Sequence, residues 1–103
     1  MMDQTLNRKG ARDCRRFSLS TTSKVDPLGP INSETQYDVV MWADVPFVYA
    51  VGSSPSVVLP TESTLGDAVW PANVPIRISV MAGHRIAAAA VTGTGALTIL
   101  PGV

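Results

Sequence analysis

One histidine, one cysteine and eight carboxylates are the side chains of this 103-residue chain best suited to acid–base, nucleophilic or metal chemistry. His84 and Cys14 stand 70 positions apart. A Cys–His nucleophile needs the two within hydrogen-bond reach, with a third group orienting the base. A zinc site needs three or four N, S or carboxylate ligands. Neither pattern is present, so no catalytic residue, metal ligand or cofactor is expected. Asp38 and Asp44 flank an apolar segment and would lie about 20 Å apart along an extended strand, too far for the paired carboxylates of a glycosidase. Glu62 and Asp67 fall in a loop without periodicity and read as solvated. Gly93-Thr94-Gly95 has the glycines of a phosphate loop but not its lysine or its following helix, and reads as a hairpin turn. His84 follows Gly83 and reads as a turn residue.

Binding chemistry offers more. Trp42, Trp70, Tyr37 and Tyr49 could form a sugar-stacking platform or belong to a core. Trp42, inside an apolar run, reads as core. Trp70, beside Pro71 in a loop, reads either as a surface anchor or as a plug at one end of its own domain. Arg8, Lys9, Arg12, Arg15 and Arg16 crowd the N-terminal part. Residues 1–24 hold six cations against two anions, a balance of +4, and residues 25–103 a balance of −4. A basic arm on an acidic body is a cue for an acidic partner surface. With only Phe17 available for stacking, nucleic acid is not the expected partner.

These residues must be positioned by a small fold. A chain of 10.9 kDa makes one domain with a thin core. Hydrophobic residues are 46% and charged residues only 16%, which excludes a disordered chain and a coiled coil. So few charges on a small soluble domain hint at a surface covered by a partner. A single cysteine permits no internal disulfide, so folding in a reducing cytoplasm, or stability gained by assembly, is expected. There is no signal-peptide apolar region, and the longest later apolar run, Ile86 to Val91, is too short to span a bilayer.

Phe17 to Thr22 alternates weakly and predicts a short strand. Residues 23–34, with two prolines, read as a loop. From Thr35 the texture changes. Tyr37, Val39 and Met41 share one face of a strand, with Val40 and Trp42 on the other. Phe47 to Val51 predicts a second strand, and Val57-Val58-Leu59 a short one stopped by Pro60. Residues 60–73 lack period 2. Ile76, Ile78 and Val80 alternate with Arg77 and Ser79. Arg85 to Val91 and Ala96 to Leu100 follow, separated by glycine turns. Ala87 to Ala90 has helical propensity, but Gly83 and Gly93 leave only nine residues between them, which suits a strand. Six or seven short strands with Gly/Pro turns predict an all-β sandwich. An eight-stranded jelly roll would need one more strand, from 61–70 or 17–22.

The segment from Tyr37 to Val103 resembles small virion proteins of tailed bacteriophages, in particular head decoration (cement) proteins. It opens on YDVVMWADVPFVYAVG, continues through Pro71-Ala72-Asn73-Val74-Pro75 into a strand, and ends on RIAAAAV, a glycine turn and a Gly95-Ala96-Leu97-Thr98-Ile99 strand. The resemblance implies a β-sandwich or jelly roll, a structural, non-enzymatic role, and no catalytic residues. It implies the major capsid protein as partner and a place on the capsid surface, after assembly in the host cytoplasm.

The reading is therefore an all-β sandwich or jelly-roll-like body over residues 35–103, behind a basic N-terminal arm and Pro/Gly loop over 1–34. Arg8, Lys9, Arg12, Arg15, Arg16 and Trp70 are the expected partner-binding residues. Ala88, Ala89, Val91, Leu97 and Ile99 lie in a stretch, Ile86 to Val103, that carries no charge. They are the expected self-association residues of a homo-oligomer. A head–tail connector and a tail or spike module binding host glycan are the alternatives.

Overall fold

The structure, a computed structural model, describes residues 14–101. Among them, eight strands form and no helix: β1 (Arg15–Leu19), β2 (Lys24–Val25), β3 (Tyr37–Ala43), β4 (Phe47–Gly52), β5 (Val69–Trp70), β6 (Ile76–Val80), β7 (Arg85–Ala90) and β8 (Gly95–Pro101). They build two antiparallel four-stranded sheets. The first has the order β1-β8-β3-β6 and the second β2-β7-β4-β5. The chain crosses repeatedly from one sheet to the other. The strand order is that of a jelly roll, two four-stranded sheets closed face to face. The all-β sandwich read from the strand spacing is thus the fold of the chain.

Period-2 alternation sets the core. Phe17 and Leu19 of β1, Val39, Met41 and Ala43 of β3, Val80 of β6 and Leu97 and Ile99 of β8 point inward from the first sheet. Phe47 of β4 and Ile86, Ala88 and Ala90 of β7 meet them from the second. The alanine run is a strand, as its flanking glycines require. Its small side chains let the sheets approach closely, and Gly83 and Gly93 at its two ends take positive φ values of 76° and 68° that favour glycine.

Sheet pairing begins before residue 35, where the sequence put the edge of the body. β1 pairs along its whole length with β8, from Arg15 opposite Ile99 to Leu19 opposite Gly95, and β2 pairs with β7. Neither strand shows strongly in the sequence, because β1 has only two inward apolar residues and β2 is two residues long. Together with β5, these strands bring the count to eight. Val57-Val58-Leu59, expected as a strand, is not one. The Val57 N–H donates to Ser23 Oγ at 3.0 Å and the Val58 N–H to Asp67 Oδ2 at 2.8 Å, so its donors are spent on side chains and not on a ladder. Val57 and Leu59 instead lie on the outer face of the second sheet.

Candidate interaction surface

The residues suited to chemistry are each engaged alone. Among the described residues, no group of three or more His, Cys, Asp and Glu side chains is placed to hold a metal ion. Cys14 is exposed. His84 sits half-buried in the turn between β6 and β7, and its backbone N–H donates to Met81 O. The carboxylates hold turns and strands. Asp38 Oδ1 accepts from Ser79 Oγ at 2.6 Å, Asp44 Oδ1 from the Ala96 N–H at 2.9 Å, and Asp67 Oδ2 from the Val58 N–H.

Arg15, expected at a partner surface, is turned into the chain itself. Its Nη1 lies 2.8 Å from Asp26 Oδ2 and donates at 2.8 Å to Gly29 O, while Nη2 donates to Pro30 O at 3.1 Å. Asp26 is buried, and its other oxygen accepts the Leu28 N–H at 2.9 Å. The fork of one guanidinium thus fixes the 26–30 turn to the start of β1. Among the described residues, Asp26 is the carboxylate within ion-pair distance of Arg15, and nothing in the local sequence marks the pair. Arg8, Lys9 and Arg12 lie outside the described residues. Arg16, by strand alternation, points the opposite way from Phe17 and is exposed.

The expected self-association residues are inside the fold. Ala88, Ala89, Leu97 and Ile99 are fully buried, because β7 and β8 are interior strands and not edges. Ala88, Leu97 and Ile99 belong to the central core, and Ala89 packs beneath Val57. Val91, just past β7, is half-buried and its N–H donates to Pro46 O. In β7 and at the inward positions of β8, the absence of charge reflects burial within one chain. Trp70 is also largely committed to its own domain. Its ring packs against the central core, and its Nε1–H donates to Val74 O at 2.7 Å.

The two outer faces differ. That of the second sheet, carrying Val48, Ala87 and Ala89, is covered by Val57 with Val25, Ala50 and Leu59 around it. The outer face of the first sheet has no such cover among the described residues. One rung across it reads Arg16, Thr98, Trp42, on β1, β8 and β3. The next reads Leu100, Val40, Arg77, on β8, β3 and β6. Trp42, Val40 and Leu100 are half-buried, and Arg16 and Arg77 are exposed. These two central rungs are uncharged in the middle, the arginines sit on the two edge strands, and Asp38, bonded to Ser79, stands at the end of the face next to Val40. Trp42, expected in the core, is its largest side chain. Because Val39, Met41 and Ala43 point inward, Trp42 between them must point out. Apart from Asp38 at its start, β3 is apolar on both faces; that one carboxylate, in step with Val40 and Trp42, is the signal that marks the outer face.

An uncharged centre with a charged rim is the anatomy of a protein–protein contact surface. The face measures about 19 by 23 Å from strand spacing and rise, roughly 400 Å².

No protein-family model matches the chain, and no curated protein matches it. Among solved structures, it is similar to two crystal structures of a pentameric capsid protein isolated from metagenomic phage sequences. The first gives a TM-score of 0.44 at 16% identity, covering 84% of this chain and 58% of that one. The second, solved by iodide phasing, gives 0.41 at 15% identity, covering 84% and 61%. The chain thus spans about three-fifths of the length of each.

Proposed function

We propose that the chain is a structural protein of a bacteriophage virion, a decoration or cement protein that binds an assembled shell and stabilises it. The observation that carries this reading is the outer face of the first sheet, which nothing among the described residues covers. Trp42, Val40 and Leu100 form its uncharged floor, with Arg16 and Arg77 along its edges, while the opposite outer face is covered by the chain's own 57–59 segment. The resemblance of the Tyr37–Val103 segment to head decoration proteins points the same way. In this reading, the sandwich is a rigid spacer held between protein surfaces. Shell subunits that separate must then also break its contacts. A face of about 400 Å² is half the area that each partner commits to a standard stable interface. Tight attachment therefore comes from repetition over a symmetric array. Arg8, Lys9 and Arg12, with Arg16, supply the basic contacts to an acidic shell surface.

The test adds purified protein to shells that lack it and measures bound copies and shell rupture temperature. Trp42→Lys abolishes decoration while the circular dichroism of the free protein is unchanged. Arg16→Glu weakens it, most at low salt, where exposed charges interact over about 30 Å. Decoration by Trp42→Lys at the level of the unmutated protein contradicts the reading.

A further inference from the structure

Each of the two sheets ends in two edge strands, and an edge offers backbone N–H and C=O groups to which another chain can add. Among the described residues, three of these four edges carry a device against that. β2 and β5 are two residues long. At β1, Lys24 Nζ donates to Ser18 Oγ at 3.2 Å and lies 5.7 Å from the centroid of the Phe17 ring, which sets a second cation beside the exposed Arg16. β6 has no such guard along its five residues. Its open groups follow from strand alternation. The Asp44 N–H donates to Ala96 O, so the even-numbered residues of β3 bond toward β8 and the odd-numbered ones toward β6. Ile76, Ile78 and Val80 thus spend their backbone groups on Met41, Val39 and Tyr37. Those of Arg77 and Ser79 point off the edge, and no backbone group of a described residue bonds to them. The flank is apolar too. Ile76 and Ile78 point inward yet are half-buried, whereas Met41 and Val39 opposite them are fully buried.

This edge is complementary to itself. A two-fold axis through Ile78 lays a second β6 antiparallel to the first, with Ile78 opposite its own copy and Arg77 opposite the second copy's Ser79. The open backbone groups then meet, and each Arg77–Ser79 pair exchanges both of its N–H···O bonds. Ile78 meets Ile78 as a non-hydrogen-bonded pair, the closer kind, with Cα atoms about 4.5 Å apart. Ile76 stands opposite Val80, so the half-exposed flank closes. The charges match in the same register. Asp38 is the ladder partner of Ser79 and accepts its hydroxyl at Oδ1, 2.6 Å away. Arg77 of one copy therefore lies two strand spacings, about 10 Å, from Asp38 of the other, a gap that the two extended side chains close between them. The two-fold axis makes this contact twice. At the other edge of the sheet, neither β1 nor its neighbour β8 carries a carboxylate to answer Arg16. We infer that two copies of the chain pair through their β6 edges into a two-fold dimer, which joins their first sheets into one continuous sheet. The contact is isologous and closes on itself. A five-residue edge places it in the weak class. The inference stands on the edge alone, whatever the outer face meets. For a shell-binding protein, it sets two faces of about 400 Å² side by side, together about the 800 Å² that each partner commits to a standard interface.

Sedimentation velocity of the full chain tests this. The weight-average mass rises toward that of two chains between about 10 µM and 1 mM, the range of a weak contact, and does not pass it. Ser79→Pro removes an N–H that the chain itself leaves unused, a place where an edge strand tolerates proline. Two hydrogen bonds are lost by symmetry, so the association constant falls about 10- to 100-fold. Arg77→Glu, at an exposed position, sets like charges against Asp38 and lowers it about 10-fold; adding Asp38→Arg restores it. Circular dichroism of each variant shows that the fold is kept, and the charge pair carries the test should Ser79→Pro fail to fold. Register is read by Ile78→Cys in a Cys14→Ser background, which oxidises to a disulfide-linked dimer, whereas Arg16→Cys in the same background does not. An unmutated chain that is monomeric at about 1 mM overturns the inference, as does a dimer indifferent to the β6 changes or an Ile78→Cys chain that does not cross-link. Mass growing well past two chains overturns it in favour of a head-to-tail contact. A β6 dimer whose Trp42→Lys variant still decorates shells leaves the present inference standing and removes the shell role of the face. A monomer whose Trp42→Lys variant loses decoration does the reverse.

Discussion

Replacing Arg15 with alanine perturbs the one buried ion pair found among the described residues. The Asp26 side chain is 1% exposed and that of Arg15 15%. Without the guanidinium, the carboxylate keeps only the Leu28 N–H as a donor, and Gly29 O and Pro30 O lose the Arg15 donors. Removing one partner of a buried pair costs about 3–5 kcal/mol, because the other charge stays behind uncompensated. Asp26→Ala should cost less, about 1.5–3 kcal/mol. Arg15 then retains two carbonyl acceptors and some access to water. For a domain of this size, each kcal/mol lowers Tm by about 4–8 °C, so Arg15→Ala falls by some 12 °C or more. The double variant should cost less than the sum of the singles by about 1–3 kcal/mol, the coupling expected of residues in direct contact. Urea denaturation followed by tryptophan fluorescence reads all three, with an unchanged slope showing that the unfolded reference is intact. A loss below about 1 kcal/mol for Arg15→Ala, or strict additivity in the cycle, would refute a structural role for the pair.

Three further outcomes follow from the packing. Trp70→Ala removes a ring packed on the central core together with the Nε1–Val74 hydrogen bond, and should lower stability by about 3 kcal/mol in the free protein. A variant that keeps its melting temperature yet loses shell binding would return Trp70 to the role of an anchor. Gly66→Ala forces a Cβ against the backbone of Val58 and Pro60. It should cost about 1–3 kcal/mol and raise amide exchange in residues 58–67; unchanged exchange would show that the loop is not braced. Deleting residues 1–16 should melt well below a deletion of 1–13, since only the longer cut removes Arg15 and the first two rungs of β1. Equal melting temperatures would contradict the place given to Arg15.

What could be read from the sequence was whatever local periodicity decides. The alternation in Ile76–Val80, the glycines bracketing Arg85–Ala90 and the two-sided apolar run of β3 placed three strands correctly, and spacing led from there to a sandwich. Features set by tertiary contact were not legible. β2 and β5 are two residues each and become strands only because a neighbour is present to pair with. Arg15 looked like its neighbours Arg8, Arg12 and Arg16 until the fold brought Asp26 to it. The uncharged stretch from Ile86 reads as an interface, but β7 and β8 lie between other strands, and β7, buried on both faces, needs no charge. Trp42 went the other way: an apolar neighbourhood in sequence suggested a core position, and the register of β3 turned it outward. The contact surface therefore assembles residues from β1, β3, β6 and β8 that no local motif connects.

Copies per particle measure the central claim most directly. Quantitative mass spectrometry of purified virions, scaled to the major shell protein, counts them without assuming which surface binds. A decoration protein, repeated over the lattice of a symmetric shell, is present in the hundreds, roughly in fixed proportion to the shell subunits. About a dozen copies per particle, the number for a ring at a single vertex, would contradict the account in favour of a connector. A few to some tens, confined to the tail, would contradict it in favour of a glycan-binding spike.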